Sequence, residues 1–117
     1  MRATKVMVNL PVADIDAARE FYSDFLGLST EEMNLGWVAR FQTPDGRAEL
    51  QVVTRDATAP ENPVASIAVD DVDAAYAGAR ERGYEIVHPL TDEPWGLRRF
   101  FVRTPDGSVL NINSHPA

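Results

Sequence analysis

Side chains that could bind a small molecule alternate along strand-like segments of the chain. In "ARFQ" the alternation places Arg40 and Gln42 on one face, and in "RRFF" it places Arg99 and Phe101 on one face. A guanidinium in a cleft can hold a carboxylate or a phosphate through two parallel hydrogen bonds. The alternative is a solvated sheet face on which Arg40 pairs with Glu49. The sequence alone leaves both interpretations open.

The segment "VLNINS" adds two amides to this candidate surface. If Leu110 and Ile112 point toward the helices, the two-residue period of a strand turns Asn111 and Asn113 to the opposite face. Trp95, in the turn-rich loop "LTDEPWG", could form a wall of the same pocket, because loops of this kind fold over clefts. More often a Trp in so small a protein fills the core or a subunit interface. The candidate pocket is therefore polar and aromatic.

Most other kinds of catalytic chemistry lack their residues in this chain. There is no cysteine, which excludes disulfides, thiolate metal sites and cysteine nucleophiles. There is also no GxSxG motif, P-loop or GxGxxG motif. We interpret His88 and His115 as exposed or hydrogen-bonded structural residues, because neither has an evident partner in the sequence. The sequence thus offers no recognisable motif for nucleophilic or acid–base catalysis.

Composition limits the class of protein and the kinds of partner. The 117 residues, 44% of them hydrophobic, fit a single domain spanning residues 1–117. A net charge of −7 disfavours binding to nucleic acid or to an anionic membrane surface. No stretch approaches the ~20 apolar residues of a membrane span, and the first apolar run is too short for a secretory signal. We therefore expect a cytoplasmic protein whose partner is a neutral or cationic small molecule.

An internal repeat organises the chain. "VADIDAA" at 12–18 returns as "VDDVDAA" at 69–75, and each copy follows an alternating strand and precedes a helix-like segment. Asp14 and Asp71 can cap these helices. A Thr-Pro-Asp-Gly turn follows later in each half and predicts a hairpin. The prediction is β-α-β-β-β twice, in modules of about 1–55 and 63–115, with strands near 4–10, 28–33, 36–43, 47–54, 64–69, 84–88, 98–103 and 108–113.

Helical spacing predicts which residues of the two helices lie against the sheet. Each helix ends near a glycine, Gly27 in the first copy and Gly83 in the second. The inward-facing residues are expected to be Ile15, Ala18, Phe21, Tyr22 and Phe25 in the first helix, and Val72, Ala75, Tyr76 and Ala79 in the second.

The chain resembles the vicinal oxygen chelate superfamily, which includes glyoxalase I, bleomycin resistance proteins and extradiol dioxygenases. The resemblance rests on "NLPVADIDAAREFYSDFLGL", "DAAYAGARERGYEI" and "WGLRRFFVRTPDGSVLNI", and covers essentially the whole chain. It implies an α+β fold in which two βαβββ modules form a curved, mostly antiparallel sheet with helices on the convex face. It also implies a ligand or metal cleft on the concave face, formed within one chain or between the chains of a dimer.

The resemblance also implies where a metal would bind. In metal-dependent members, His, Glu or Gln occupies one position on the first and last strand of each module. The first-strand positions here are Met7 and Val64, and the last strand of the second module presents Asn111. In the first module Glu49 or Gln51 is the candidate. One carboxylate and one amide are too few ligands for a stable divalent site, so metal binding is predicted to be lost.

The strand register at the first-module position is ambiguous on the sequence. Glu49 and Gln51 share one strand parity, whereas a gapless match of the two Thr-Pro-Asp-Gly turns places Leu50 opposite Asn111. The register is therefore uncertain by one residue.

These observations favour a small-molecule binding protein of the glyoxalase/bleomycin resistance type, without metal or other cofactor. The alternative is a metal-dependent glyoxalase-like lyase, isomerase or dioxygenase, and a third hypothesis is an inert or regulatory dimer whose cleft has no dedicated ligand. We expect a homodimer that binds an aromatic or cationic small molecule. The predicted ligand-binding residues are Asn9, Arg40, Glu49, Gln51, Trp95, Arg99, Phe101, Asn111 and Asn113.

Overall fold

The computed structural model describes residues 1–31 and 35–115 of the chain. The element order is βαβββ in each half, which confirms the predicted α+β class and its repeat. Positions 32 and 33 of one predicted strand lie outside the described residues. The strands are β1 (Ala3–Pro11), β2 (Ser29–Glu31), β3 (Val38–Gln42), β4 (Glu49–Val53), β5 (Ala65–Val69), β6 (Ile86–Asp92), β7 (Arg98–Arg103) and β8 (Val109–Ser114). The helices are α1 (Ile15–Arg19), continued by a π-helical segment (Glu20–Phe25), and α2 (Val72–Glu81).

The chain divides into two compact units. We call residues Met7–Thr58 the N-terminal unit, and Met1–Val6 together with the chain from Ala59 the C-terminal unit. The repeat places the first six residues in the first module, and β1 is the first strand of that module. In the structure, these six residues are grouped with the C-terminal unit, where the Asp70 backbone N–H donates to the Arg2 carbonyl oxygen at 3.0 Å. The Arg2 backbone N–H in turn donates to the Asp70 carboxylate at 2.7 Å.

In the N-terminal unit the strands follow the order β2-β3-β4-β1. β3 pairs antiparallel with β2 and β4, whereas β1 and β4 are parallel. One face of this sheet packs against α1 through Ala18, Ala39, Phe41 and Val52, which are buried together. Tyr22 extends this contact, with its ring 5.3 Å from that of Phe41. The strand period consequently turns the side chains between these apolar residues to the opposite face.

The C-terminal unit repeats this arrangement. Its strands follow the order β5-β8-β7-β6, and β5 and β8 are parallel while β7 is antiparallel to both of its neighbours. The face toward α2 is formed by Val69, Phe100, Ile67, Val102 and Ile112, against Val72, Ala75, Tyr76 and Ala79 of the helix. These contacts confirm the predicted inward face of the second helix.

Both predicted helix starts are confirmed. The Asp14 carboxylate accepts a hydrogen bond from the Asp16 backbone N–H at 3.1 Å, and the Asp71 carboxylate accepts one from Ala74 at 3.0 Å. The helices end before Gly27 and Gly83, whose φ angles of +78° and +73° suit glycine.

The inward face predicted for the first helix is partly wrong. Phe21 and Phe25 are 51% and 75% exposed, whereas Tyr22 is partly buried and packs against the core. The reason is the π-helical segment, because i→i+5 hydrogen bonding rotates the following residues out of the 3.6-residue phase. Phe21 and Phe25 contact each other instead, with ring centroids 5.6 Å apart.

Strand β6 extends further than predicted. The sequence placed its end at His88, directly before Pro89, yet the strand continues to Asp92. β6 is the edge strand of its sheet, and its pairing with β7 is interrupted between Ile86 and His88 and again between His88 and Thr91. Edge strands and bulges tolerate a proline, because no ladder hydrogen bond is lost there.

Candidate functional site

A row of hydrogen-bonded polar side chains crosses the N-terminal unit on the face opposite α1. Arg40 of β3, Gln51 of β4 and Asn9 of β1 are successive Cα partners across the three strands. The Arg40 Nη2 group donates to Gln51 Oε1 at 3.2 Å, and Gln51 Nε2 donates to Asn9 Oδ1 at 3.2 Å. Together with Glu49, these residues form what we call the N-terminal polar face. The structure thus brings together four of the predicted site residues.

Arg40 lies between two carboxylates on this face. Its Nη1 atom is 3.5 Å from Glu31 Oε2, and its Nε atom is 3.8 Å from Glu49 Oε2. The Arg40–Glu49 ion pair that the sequence offered as an alternative is therefore present. Two carboxylates beside one guanidinium give the surroundings of Arg40 a net negative charge. These surroundings suit a neutral or cationic molecule better than an anion.

The Nε–H group of Arg40 is buried without a hydrogen-bond acceptor. Glu49 Oε2, at 3.8 Å, is beyond hydrogen-bond distance, and within residues 1–31 and 35–115 no other acceptor meets this atom. Buried donors are almost always paired in folded proteins, so an orphaned one calls for an explanation. An oxygen atom of a bound molecule would satisfy it.

The matching row of the C-terminal unit has different chemistry. Phe101 of β7, Asn111 of β8 and Ser66 of β5 are successive Cα partners. Asn111 Nδ2 donates to Ser66 Oγ, and Asn113 Nδ2 donates to Asn111 Oδ1, both at 3.3 Å. With Arg99, the Cα partner of Asn113, these residues form the C-terminal polar face. The four side chains predicted to face away from α2 do so.

Arg99 is buried in a cluster of charged and aromatic groups. Its Nε atom is 2.6 Å from Glu93 Oε2, and both side chains are 2% exposed. The guanidinium carbon lies 5.0 Å from the ring centre of Trp95 and 4.7 Å from that of Phe101. Glu93 Oε2 is also 3.3 Å from Nε2 of His88. Arg99 and Trp95 are thus engaged within the protein.

Sequence reasoning missed Glu93 and Ser66 as members of these faces, and it placed His88 without a partner. His88 is buried and hydrogen-bonded, which is one of the two structural alternatives expected for it. Ser66 could have been found, because it has the strand parity of the polar face. Glu93 could not, since it reaches Arg99 from a loop and no periodicity places it.

The internal repeat resolves the register that the sequence left open. In the parallel pairs, Asn9 lies opposite Gln51 and Ser66 lies opposite Asn111. Asn9 and Ser66 are equivalent positions of the repeat, so Gln51 is the counterpart of Asn111. Leu50 is one residue out of register with Asn111, and Glu49 is two residues out of register.

The one-residue offset arises in the hairpin turns. In the first hairpin, the Thr43 backbone N–H donates to the carbonyl oxygen of Ala48, five residues on. In the second, Thr104 donates to Ser108, four residues on. The first turn therefore contains one extra residue, which a gapless match of the two turns cannot show.

The residues at the four implied metal positions do not fit a divalent cation. They are Met7, Gln51, Val64 and Asn111, which supply a thioether, two amides and no donor at the valine. Hard cations prefer carboxylates, and zinc prefers imidazole, thiolate or carboxylate. The part of the chain that the structure describes also contains no cluster of three or more His, Asp or Glu residues able to hold a metal.

Comparison with known proteins agrees with the fold. The family model of the Glyoxalase/Bleomycin resistance protein/Dioxygenase superfamily matches residues 5–112. The chain belongs to this superfamily. No protein of curated function matches it. Among the described residues, no helix has the length and apolar character needed to cross a bilayer.

Several solved structures share the fold. One, named NAD-dependent benzaldehyde dehydrogenase from Legionella pneumophila, is 21% identical with a TM-score of 0.76 and covers 96% of this chain and 100% of its own. A superfamily member from Vibrio splendidus is 18% identical with a TM-score of 0.72, over 97% of this chain and 99% of its own. The Mn(II)-bound glyoxalase from Novosphingobium aromaticivorans is 27% identical with a TM-score of 0.68, over 99% of this chain but 40% of its own. At 21% and 18% identity the first two likenesses show the fold alone.

Proposed function

We propose that the protein binds a small neutral or cationic molecule without a metal, and that the N-terminal polar face contacts it. The observation that carries this proposal is the orphaned Nε–H group of Arg40, held in place by Gln51 and flanked by Glu31 and Glu49. A carbonyl or hydroxyl oxygen of the ligand would accept from it. The donor set at the implied metal positions supports a binding mode that uses protein groups alone.

The chemistry of the face restricts the class of ligand. An anion would meet two carboxylates close to Arg40, which disfavours a phosphate or a carboxylate. The ligand must carry an oxygen atom that accepts from the Arg40 Nε–H group, and it must not be an anion. A neutral aromatic carbonyl compound or an aromatic amine with a hydroxyl group meets both requirements. Gln51 and Asn9 add amide groups that can exchange their mutual hydrogen bond for one to the ligand.

A fluorescence titration tests this proposal. In a Trp95→Phe background, Trp37 of the N-terminal unit is the remaining tryptophan. The probes are aromatic carbonyl compounds, hydroxylated aromatic amines and bleomycin. We expect saturable quenching by at least one probe, and about tenfold or more weaker affinity after Arg40→Lys, which removes the Nε–H group but keeps the charge. Arg47→Lys, at an exposed hairpin arginine, is the matched control.

Two results would overturn the proposal. One is the absence of saturable quenching by every probe, and the other is equal affinity in the Arg40→Lys and Arg47→Lys variants.

A metal-dependent lyase, isomerase or dioxygenase is the second candidate. It is favoured by the 27% identity with the Mn(II)-bound glyoxalase, and by Glu49, a carboxylate on the N-terminal polar face. Elemental analysis of the purified protein, with thermal melts in Mn²⁺, Zn²⁺ and EDTA, separates the two candidates. We expect less than stoichiometric metal and no shift in Tm with EDTA, whereas one tightly bound ion per chain would establish the second candidate instead.

A further inference from the structure

An open apolar groove lies on the helix side of the C-terminal unit, opposite the C-terminal polar face. Its volume is about 590 Å³, within the range typical of small-molecule sites. Its floor is the sheet face toward α2, one wall is α2, and the start of β1 closes another side. The helix and the turn after it contribute Ala74, Gly78 and Arg82 to the lining, and the sheet contributes Ile67, Val102 and Ile112.

The groove is open because α2 turns small side chains toward it. Ala74, Ala75, Gly78 and Ala79 leave space that larger residues would fill, although the sheet opposite them carries Phe100 and other apolar residues. Protein interiors are close-packed and seldom leave a void of this size between a helix and its sheet. An apolar molecule would recover the lost packing contacts.

Among the described residues that line the groove, one has a cationic side chain. Arg82, just after α2, folds back so that its Nη1 atom donates to the Gly78 carbonyl oxygen at 3.2 Å. Glycine permits this, because a Cβ atom at position 78 would lie 3.0 Å from that Nη1 atom. The guanidinium has five N–H donors, so holding a carbonyl oxygen leaves it able to bind a carboxylate as well.

The charge of the groove differs from that of the whole chain. The chain has 18 acidic against 11 basic side chains, yet the residues that line the groove within the described ranges include Arg82 and no Asp or Glu. From the apolar wall and this single guanidinium we infer that the groove binds an amphipathic monocarboxylate. The aliphatic or aromatic body would lie against the sheet floor and the carboxylate would bind Arg82. This site is independent of the N-terminal polar face and of the ligand proposed there.

Methyl NMR titrations with octanoate and 1-octanol test the inference. We expect octanoate to shift the methyl resonances of Ile67, Val102 and Ile112 saturably, and to bind more tightly than octanol. Arg82→Gln should weaken octanoate about tenfold, the loss expected for a charge-assisted hydrogen bond, and leave octanol unchanged. Arg80→Gln is the matched control, because Arg80 lies on the same helix over Tyr76 and outside the groove lining.

A second pair of variants tests the location. Ala74 and Ala77 are both exposed on α2, but only Ala74 lines the groove. Ala74→Leu should abolish octanoate binding and Ala77→Leu should not. Equal binding of octanoate and octanol, or equal effects of the two leucine variants, would overturn the inference. So would a concentration-dependent dimer that dissociates on Ala74→Leu, because the groove would then be a contact between two copies of the chain.

Discussion

The two polar faces occupy equivalent strands of a repeated module, but their charged side chains stand at different positions. In the N-terminal unit the row is Arg40, Gln51 and Asn9, and the equivalent row of the C-terminal unit is Phe101, Asn111 and Ser66. The N-terminal row keeps a guanidinium with an orphaned N–H group. The C-terminal row replaces that guanidinium with a ring.

The C-terminal unit carries its own guanidinium one row further along. Arg99 is the Cα partner of Asn113 across β7 and β8. The equivalent Cα partners in the N-terminal unit are Val38 and Val53, which are buried and apolar. Glu93 compensates the charge of Arg99 at 2.6 Å. One backbone therefore supports an arginine with an unpaired N–H donor and an arginine that forms a buried ion pair. The carboxylates near Arg40 lie at 3.5 and 3.8 Å, whereas the carboxylate of Glu93 lies 2.6 Å from Arg99.

The largest expected effect comes from breaking the buried pair. Glu93→Gln removes the carboxylate and leaves the Arg99 charge buried, so the free energy of unfolding should fall by about 3–5 kcal/mol. Glu49→Gln, which weakens the 3.8 Å contact with Arg40, should cost about 1 kcal/mol or less. Urea unfolding followed by tryptophan fluorescence measures both. Similar losses in the two variants would show that the two arginines do not differ in role.

A smaller effect is expected within the N-terminal row. Gln51→Ala removes both the acceptor of Arg40 and the donor to Asn9, so we expect a loss of about 1–3 kcal/mol in the free energy of unfolding. Gln42→Ala, on the same face of β3 but outside the row, should stay within about 0.5 kcal/mol of the parent. If Gln42→Ala costs as much as Gln51→Ala, the row is not a cooperative network.

The sequence predicted the features of both faces that depend on periodicity. The two-residue strand period placed Arg40, Arg99 and Asn111 on the face away from the helices, and the repeat placed Asp14 and Asp71 at helix starts. The family of the chain could also be predicted, because its motifs are local.

Features that depend on a break in periodicity could not be predicted. The pairing of Glu93 with Arg99 depends on the bulged end of β6 and the loop after it, and the exposure of Phe21 depends on a π-helical segment. The gapless match of the two turns missed the extra residue of the first hairpin. A bulge or an extra turn residue shifts the strand register by one residue, and a π-helical segment shifts the helical phase by less than one turn. Shifts this small leave the composition and the spacing of apolar residues almost unchanged, so the sequence does not reveal them.

The smallest expected effect concerns how each helix is attached to its sheet. Asp73 and Asp16 occupy equivalent positions in the first turns of α2 and α1. Asp16 pairs with Arg19 of its own helix, whereas Asp73 accepts two hydrogen bonds from Arg98 of β7, at 2.7 and 3.3 Å. The hydrogen bonds from Arg98 lower the pKa of the Asp73 carboxyl below its ordinary value of 3.8.

The direction of this shift fixes the pH dependence. Because the folded protein holds Asp73 ionised more strongly than the unfolded chain does, the stabilisation is present above pH 3.8 and is lost as the pH falls through the lowered pKa. Asp73→Asn should therefore lower Tm slightly at neutral pH, and the difference from the parent should shrink in acid. Thermal melts from pH 7 to about pH 2 measure it, with Asp16→Asn as the control for losing an acidic group at a helix start. A Tm difference for Asp73→Asn that does not change with pH would mean that Arg98 does not attach α2 to its sheet through this carboxylate.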